Sequence, residues 1–189
     1  MDCRILRAVT LKSNGRLSCD DSAGYQIEIG SVSPSRHWSF RQAVNAPIYR
    51  HIRNSFADGR LPWPDVCPGC DLLNRGAPPN DTLDTEIAVQ VEPTLYCTLR
   101  CPSCHRREET KLRTGGWYLD PAVFRAFVAG ASRDGVRIRE IDYLGWGEPF
   151  DHPALGEMLA TVNDLSPETH QTVTTHGNLD YDTLSIDAR

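Results

Sequence analysis

The 189-residue sequence has no apolar run approaching the roughly 18 residues that a membrane span requires. Its start, MDCRILRAVTLKSNG, also lacks an apolar stretch of signal-peptide type, so we expect a cytoplasmic protein with no membrane partner. Positive charge is not in excess: 20 Lys+Arg face 25 Asp+Glu for a net charge of −5, and only 2 of the basic residues are lysine. Nucleic-acid binding needs a basic face to displace phosphate counterions, so no nucleic-acid partner is expected. Internal repeats and low-complexity tracts are missing too. What remains, at 40% hydrophobic and 24% charged, is an ordinary globular composition. Against these absences stand seven cysteines. A reducing compartment rarely keeps structural disulfides, and an odd number cannot all pair, so metal or redox chemistry is the leading expectation.

The polar stretch DLLNRGAPPNDTLDT, Asp71 to Thr85, separates two halves, which we bound as residues 1–75, a linker 76–85 and residues 86–189. In the first half Ile5–Leu11 and Tyr25–Ile29 read as strands, with Ser13-Asn14-Gly15-Arg16 as a hairpin-type turn. A helical stretch, Ser39 to Ala57, is split by Pro47, and Cys67-Pro68-Gly69-Cys70 is a tight turn. The second half alternates. Ile87–Val91, Ile138–Leu144 and Gln171–Thr175 read as strands. Asp120-Pro121 starts one intervening helix, with Val123, Phe124, Phe127, Val128 and Ala131 on one face. His152-Pro153 starts the other, with Leu155, Met158, Leu159 and Val162 on one face. This order predicts right-handed βαβ crossovers and a parallel sheet, which collects ligands at the carboxyl ends of its strands.

Motifs fall at those ends. Cys97-Thr-Leu-Arg-Cys101-Pro-Ser-Cys104 follows the first strand of the second half. Three thiolates at this spacing can each hold one iron of a four-iron cube and leave the fourth iron open. The same residues could instead be three of four zinc ligands with His105 as the fourth, or separate buried thiols. Gly145-Trp146-Gly147-Glu148-Pro149 ends the second strand and Thr175-His176-Gly177-Asn178 the third.

In that order, from Ile87 to Asn178, these segments resemble the radical S-adenosylmethionine (SAM) enzymes. The resemblance implies a [4Fe-4S] cluster on Cys97, Cys101 and Cys104, with SAM on its open iron. Trp146, Gly147 and Glu148 would line the methionine end of SAM, and the backbone at Ser103 would lie near the adenine. It further implies cleavage of SAM to a 5′-deoxyadenosyl radical that abstracts a substrate hydrogen, and an electron donor such as flavodoxin or ferredoxin. No protein side chain is assigned as a catalytic residue. Ser103 stands where an aromatic residue is common, and Trp146 and His176 replace the usual Gly and Asn. His176 and His152 otherwise read as satisfied loop histidines.

The other four cysteines, Cys3, Cys19, Cys67 and Cys70, are the right number to close a tetrathiolate site for zinc or for an iron–sulfur cluster. Asn14-Gly15-Arg16, Cys19, Ile29-Gly30-Ser31-Val32, the helix Ala46 to Ala57 and Cys67-x2-Cys70 resemble the auxiliary-cluster extension called SPASM, or its shorter twitch form. That implies one auxiliary [4Fe-4S] cluster and a peptide or protein substrate. The extension here precedes the barrel instead of following it, and the later cysteines of a full SPASM domain are absent.

The expected fold is therefore α/β: the first three strands of a (β/α)6 radical SAM barrel, preceded by a small α+β domain with a cysteine-ligated iron–sulfur site. Thr183-Leu184-Ser185-Ile186 reads as the start of a further helix, so we expect a fragment of a longer protein or completion by another chain. The alternative from a different functional class is a non-catalytic zinc or iron–sulfur binding module. Arg106, Arg107, Lys111 and Arg113 form a basic run that reads as a solvated loop, or as a surface for an acidic peptide.

Overall fold

The structure, a computed structural model, describes residues 1–19, 27–104 and 117–178. The chain runs β1 (Asp2–Cys3), a 3-10 turn (Arg4–Leu6), β2 (Ala8–Leu11), β3 (Arg16–Ser18), β4 (Glu28–Ser31), α1 (Phe40–Val44) and α2 (Pro47–Ala57). A second 3-10 turn (Cys67–Gly69), β5 (Leu73–Asn74), β6 (Glu86–Val91), α3 (Pro121–Arg133) and β7 (Arg137–Tyr143) follow. A third 3-10 turn (Pro149–Asp151), α4 (Leu155–Leu165) and β8 (His170–Val173) complete the described elements. His105, the basic run and the helix expected from Thr183 lie outside the described residues.

Local chemistry sets the helix starts. Ser39 caps α1 by accepting from the Gln42 N–H at 3.1 Å, and Pro47, which has no N–H to lose, opens α2 as a separate helix. Asp120 caps α3 through the Ala122 N–H at 2.8 Å, with Pro121 in the first position. The alternation expected in the second half is present, although α4 starts at Leu155 because Pro149–Asp151 first makes a 3-10 turn. Two first-half strands differ from expectation. The strand expected from Ile5 starts only at Ala8, because the Arg7 N–H turns back onto the Arg4 carbonyl at 2.9 Å. The strand expected over Tyr25–Ile29 is found as Glu28–Ser31, with residues 20–26 outside the described set.

The main sheet has six strands in the order β4-β3-β2-β6-β7-β8, and β1 pairs with β5 in a separate two-stranded ribbon. β3 pairs antiparallel with both β2 and β4, whereas β2, β6, β7 and β8 run parallel. The first half also supplies a fourth parallel strand, which was not expected: β2 lies directly beside β6, with Ala8 opposite Ala88 and Leu11 opposite Val91. The N-terminal hairpin thus covers the edge of β6 that a three-stranded sheet would leave open. Its turn needs Gly15, whose φ is +77° and whose N–H bonds the Lys12 carbonyl at 2.8 Å.

One sheet face carries Val9, Leu11, Ile87, Val89, Val91, Ile138, Ile141 and Tyr143 into a core shared with both halves. Phe124, Phe127 and Val128 of α3 meet Phe40, Tyr49 and Ile52 there, and Phe40 and Phe127 pack edge to face with centroids 5.8 Å apart. The expected face of α3 is buried throughout, while on α4 Leu155, Met158 and Val162 are buried and Leu159 is half-buried.

Candidate functional site

The strand ends and short ribbons gather the cysteines into two groups with different surroundings. In the first, β1–β5 pairing sets Cys3 opposite Leu73, three residues past Cys70. Cys19 follows β3 directly, and Cys67 opens the second 3-10 turn. All four thiols line one pocket that opens partly to solvent, walled by Ile5, Ile27, Phe56, Trp63 and Leu73. Every remaining lining residue is apolar. The Ile27 N–H donates to Cys19 Sγ at 3.3 Å.

Burial pushes the Cys3 thiol above its usual range, and the neighbouring Cys70 and Cys67 push it further. Cys67 is raised by burial and by Cys70. Anionic sulfurs crowded into an apolar pocket are unfavourable until a cation compensates them, at which point the same walls strengthen the attraction. In number and kind the donors match a group carried by four thiolates, an iron–sulfur cluster or zinc, and zinc would require the sulfurs to draw together. Among the described residues no three Cys, His, Asp or Glu side chains converge tightly enough for a single ion.

The second group sits at the carboxyl ends of the parallel strands. Cys97 is half-buried and Cys101 and Cys104 are exposed, with a turn closed by the Cys104 N–H on the Cys101 carbonyl at 3.1 Å. The base of this loop is pinned. Leu95 N–H meets the Trp117 carbonyl at 2.9 Å, and Thr94 Oγ1 donates to the same oxygen at 2.6 Å.

The segment after β7 docks onto that base. A Cβ on Gly147 would stand 2.2 Å from the Thr94 carbonyl oxygen and 2.6 Å from that of Tyr96, and the Glu148 N–H bonds the Tyr96 carbonyl at 2.8 Å. Only glycine allows this approach. Gly145 is similarly placed, 2.6 Å from Glu92 Cγ were it to carry a Cβ. Glu148 is buried at 2% exposure, and its carboxylate accepts the Phe150 N–H at 3.1 Å and the His176 N–H at 3.0 Å. One carboxylate thus ties the loops after β7 and β8 together. Trp146 is half-buried and Ser103 exposed.

His152 is a satisfied buried histidine, as expected. Its Nδ1 accepts from Ala154 at 3.1 Å, so its Nε2–H donates to the Leu119 carbonyl at 2.8 Å. That bond joins the start of α4 to the segment closing the cysteine loop.

A buried ion pair was missed by sequence reasoning. Lys12 Nζ lies 3.4 Å from Glu92 Oε2, and Glu92 Oε1 accepts from Ser13 N and Oγ at 3.2 and 2.9 Å. It links the ends of β2 and β6 beside Gly145. Its one visible trace was the position of Lys12, one of only 2 lysines, at the end of a strand. Among the described residues no helix is long and apolar enough to cross a membrane. No protein-family model, curated protein or solved structure matches the chain.

Proposed function

We propose that the chain belongs to a radical SAM enzyme that acts on a peptide or protein and carries an auxiliary iron–sulfur site in its first half. The observation that carries this reading is the docking of Gly147 and Glu148 against the Thr94–Tyr96 backbone, directly below the three-cysteine loop. A structural metal site has no need of it. Cys97, Cys101 and Cys104 would hold a [4Fe-4S] cluster, and Cys3, Cys19, Cys67 and Cys70 a second one. When bound, the first cluster and SAM together supply the one-electron chemistry that yields a 5′-deoxyadenosyl radical for hydrogen abstraction.

The residues of the chain have simpler tasks. Gly147 lets the loop after β7 lie flat on the strand end, so that its backbone faces the ligand. Glu148 is held by two N–H groups and keeps lone pairs for the α-ammonium of SAM. Trp146 screens that end from water, and the Ser103 backbone lies where the adenine is expected. Cys3 and its three partners close their own site, which suits electron relay and support of the fold. A reducing cytoplasm and a flavodoxin or ferredoxin donor fit these open thiols. The apolar four-cysteine pocket favours the second reading, a non-catalytic zinc or iron–sulfur module.

Anaerobic reconstitution separates the two. We expect about eight irons per chain, falling by half in the Cys97→Ala/Cys101→Ala/Cys104→Ala variant. Tightly bound zinc without charge-transfer absorption would overturn the cluster assignment. Dithionite-reduced, cluster-loaded protein should convert SAM to 5′-deoxyadenosine; failure there would leave the module reading.

A further inference from the structure

The turn after β8 determines where His176 carries its proton. Its Nδ1 accepts from the Asn178 backbone N–H at 3.0 Å. In the neutral ring the proton therefore sits on Nε2, which becomes a donor. Nε2 is buried, has no hydrogen-bond partner among the described residues and stands 3.4 Å from Glu148 Oε2. The backbone N–H of the same residue already bonds that oxygen at 3.0 Å. A buried donor left unused beside a fixed carboxylate calls for an explanation, because native structures rarely leave such groups unpaired.

The two side chains present complementary chemistry at one point. Glu148 is an anchored acceptor, with one N–H on each oxygen and lone pairs to spare. His176 is a neutral donor whose direction is set by its own turn. An α-amino acid group carries a donor, the ammonium, and an acceptor, the carboxylate, on one carbon. We propose that His176 is a specificity-determining residue whose Nε2–H receives the α-carboxylate of SAM while Glu148 takes the α-ammonium. This rests on the SAM-binding reading above and adds to it a residue and a ligand group.

The turn itself suggests the variants. Asparagine at 176 can accept the Asn178 N–H through Oδ1, preserving the turn, but is too short to offer a donor where Nε2 stands. Glutamine reaches that point with an N–H. Binding of SAM and of decarboxylated SAM to the cluster-loaded chain would be measured anaerobically by calorimetry. His176→Asn should weaken SAM about tenfold and leave decarboxylated SAM unchanged, and His176→Gln should recover most of the SAM affinity. Equal weakening of both ligands, or of neither, would overturn the assignment. Lack of SAM binding by the loaded wild-type chain would instead overturn the reading on which it rests.

Discussion

The two cysteine groups differ in what surrounds their sulfurs. Cys3, Cys19, Cys67 and Cys70 are half-buried around an apolar pocket assembled from β1, β5, α2 and the segments that carry Cys19 and Cys67, so that loading it would draw on much of the N-terminal fold. Cys101 and Cys104 are exposed on a loop pinned at its base. Burial and the neighbouring sulfurs raise the Cys3 and Cys67 thiols, so a metal bound there would offset a real electrostatic cost. The contrast teaches that equal numbers of sulfurs do not make equal sites. A closed pocket couples metal to stability, whereas an open loop on a rigid base leaves room for chemistry.

The sharpest way to break this contrast is to remove one sulfur from each group. With metal in thousandfold excess over its dissociation constant, a closed site adds about 4 kcal/mol to stability. Cys67→Ala should lose most of that in anaerobic denaturation of the loaded protein, and Cys101→Ala should lose far less. Equal losses would mean that both groups are coupled to the fold alike.

Next in size is the rigid base of the open site. Gly147→Ala forces a methyl group into two carbonyl oxygens and should cost about 3 kcal/mol. Gly156→Ala on α4, where a Cβ meets nothing within 4 Å, should be neutral or stabilise by up to about 1 kcal/mol. Thermal melts of the metal-free variants compare the two directly. If Gly147→Ala melted with the wild type, the docking of the loop after β7 would not be what holds the base.

A smaller effect concerns pH. Burial holds His152 below its ordinary 6.5, although the Leu119 carbonyl opposes the shift. The folded chain therefore binds this proton less well than the unfolded chain. Its contribution is full above about pH 6.5 and is lost as pH falls below that value. Because His152 ties α4 to the segment that closes the cysteine loop, acid should loosen the open site first. His152→Ala should cost about 2 kcal/mol near neutral pH and progressively less in acid, as read by denaturation across the pH series. A constant difference would show that the two hydrogen bonds of His152 do not depend on its charge.

Much of the second half was legible because its signals are local. Asp120-Pro121, the apolar face of α3 and the β-branched run of β6 each specify an element by nearest neighbours. The glycine and glutamate motif could also be placed at a strand end, and Gly147 proves to need its glycine for a contact with Thr94 and Tyr96. What could not be read is pairing between distant segments. Nothing within Ala8–Leu11 says that it will lie parallel to Glu86–Val91, and so Lys12 could not be matched with Glu92 across the sheet. The start of β2 differs from expectation for a related reason: Ile5 and Leu6 are as apolar as a strand, but they are buried by a turn.

The smallest expected effect tests whether the closed pocket is complete without metal. Tyr49 is buried on α2, on the side that also brings Phe56 to the pocket, and its hydroxyl has no hydrogen-bond partner among the described residues. Burial, followed by the charge of Cys19, pushes the phenol's pKa well up, so the group stays a neutral donor. A buried hydroxyl with no acceptor costs about 1 kcal/mol or more, and removing it without changing shape releases that cost. Tyr49→Phe should therefore stabilise the metal-free chain by about 1 kcal/mol in denaturant melts. The gain should shrink in the loaded chain, where Cys19 is a permanent thiolate within electrostatic reach of the hydroxyl. Equal gains in both states would show that the phenol is indifferent to the pocket, and would confine the coupling between metal and fold to the sulfurs themselves.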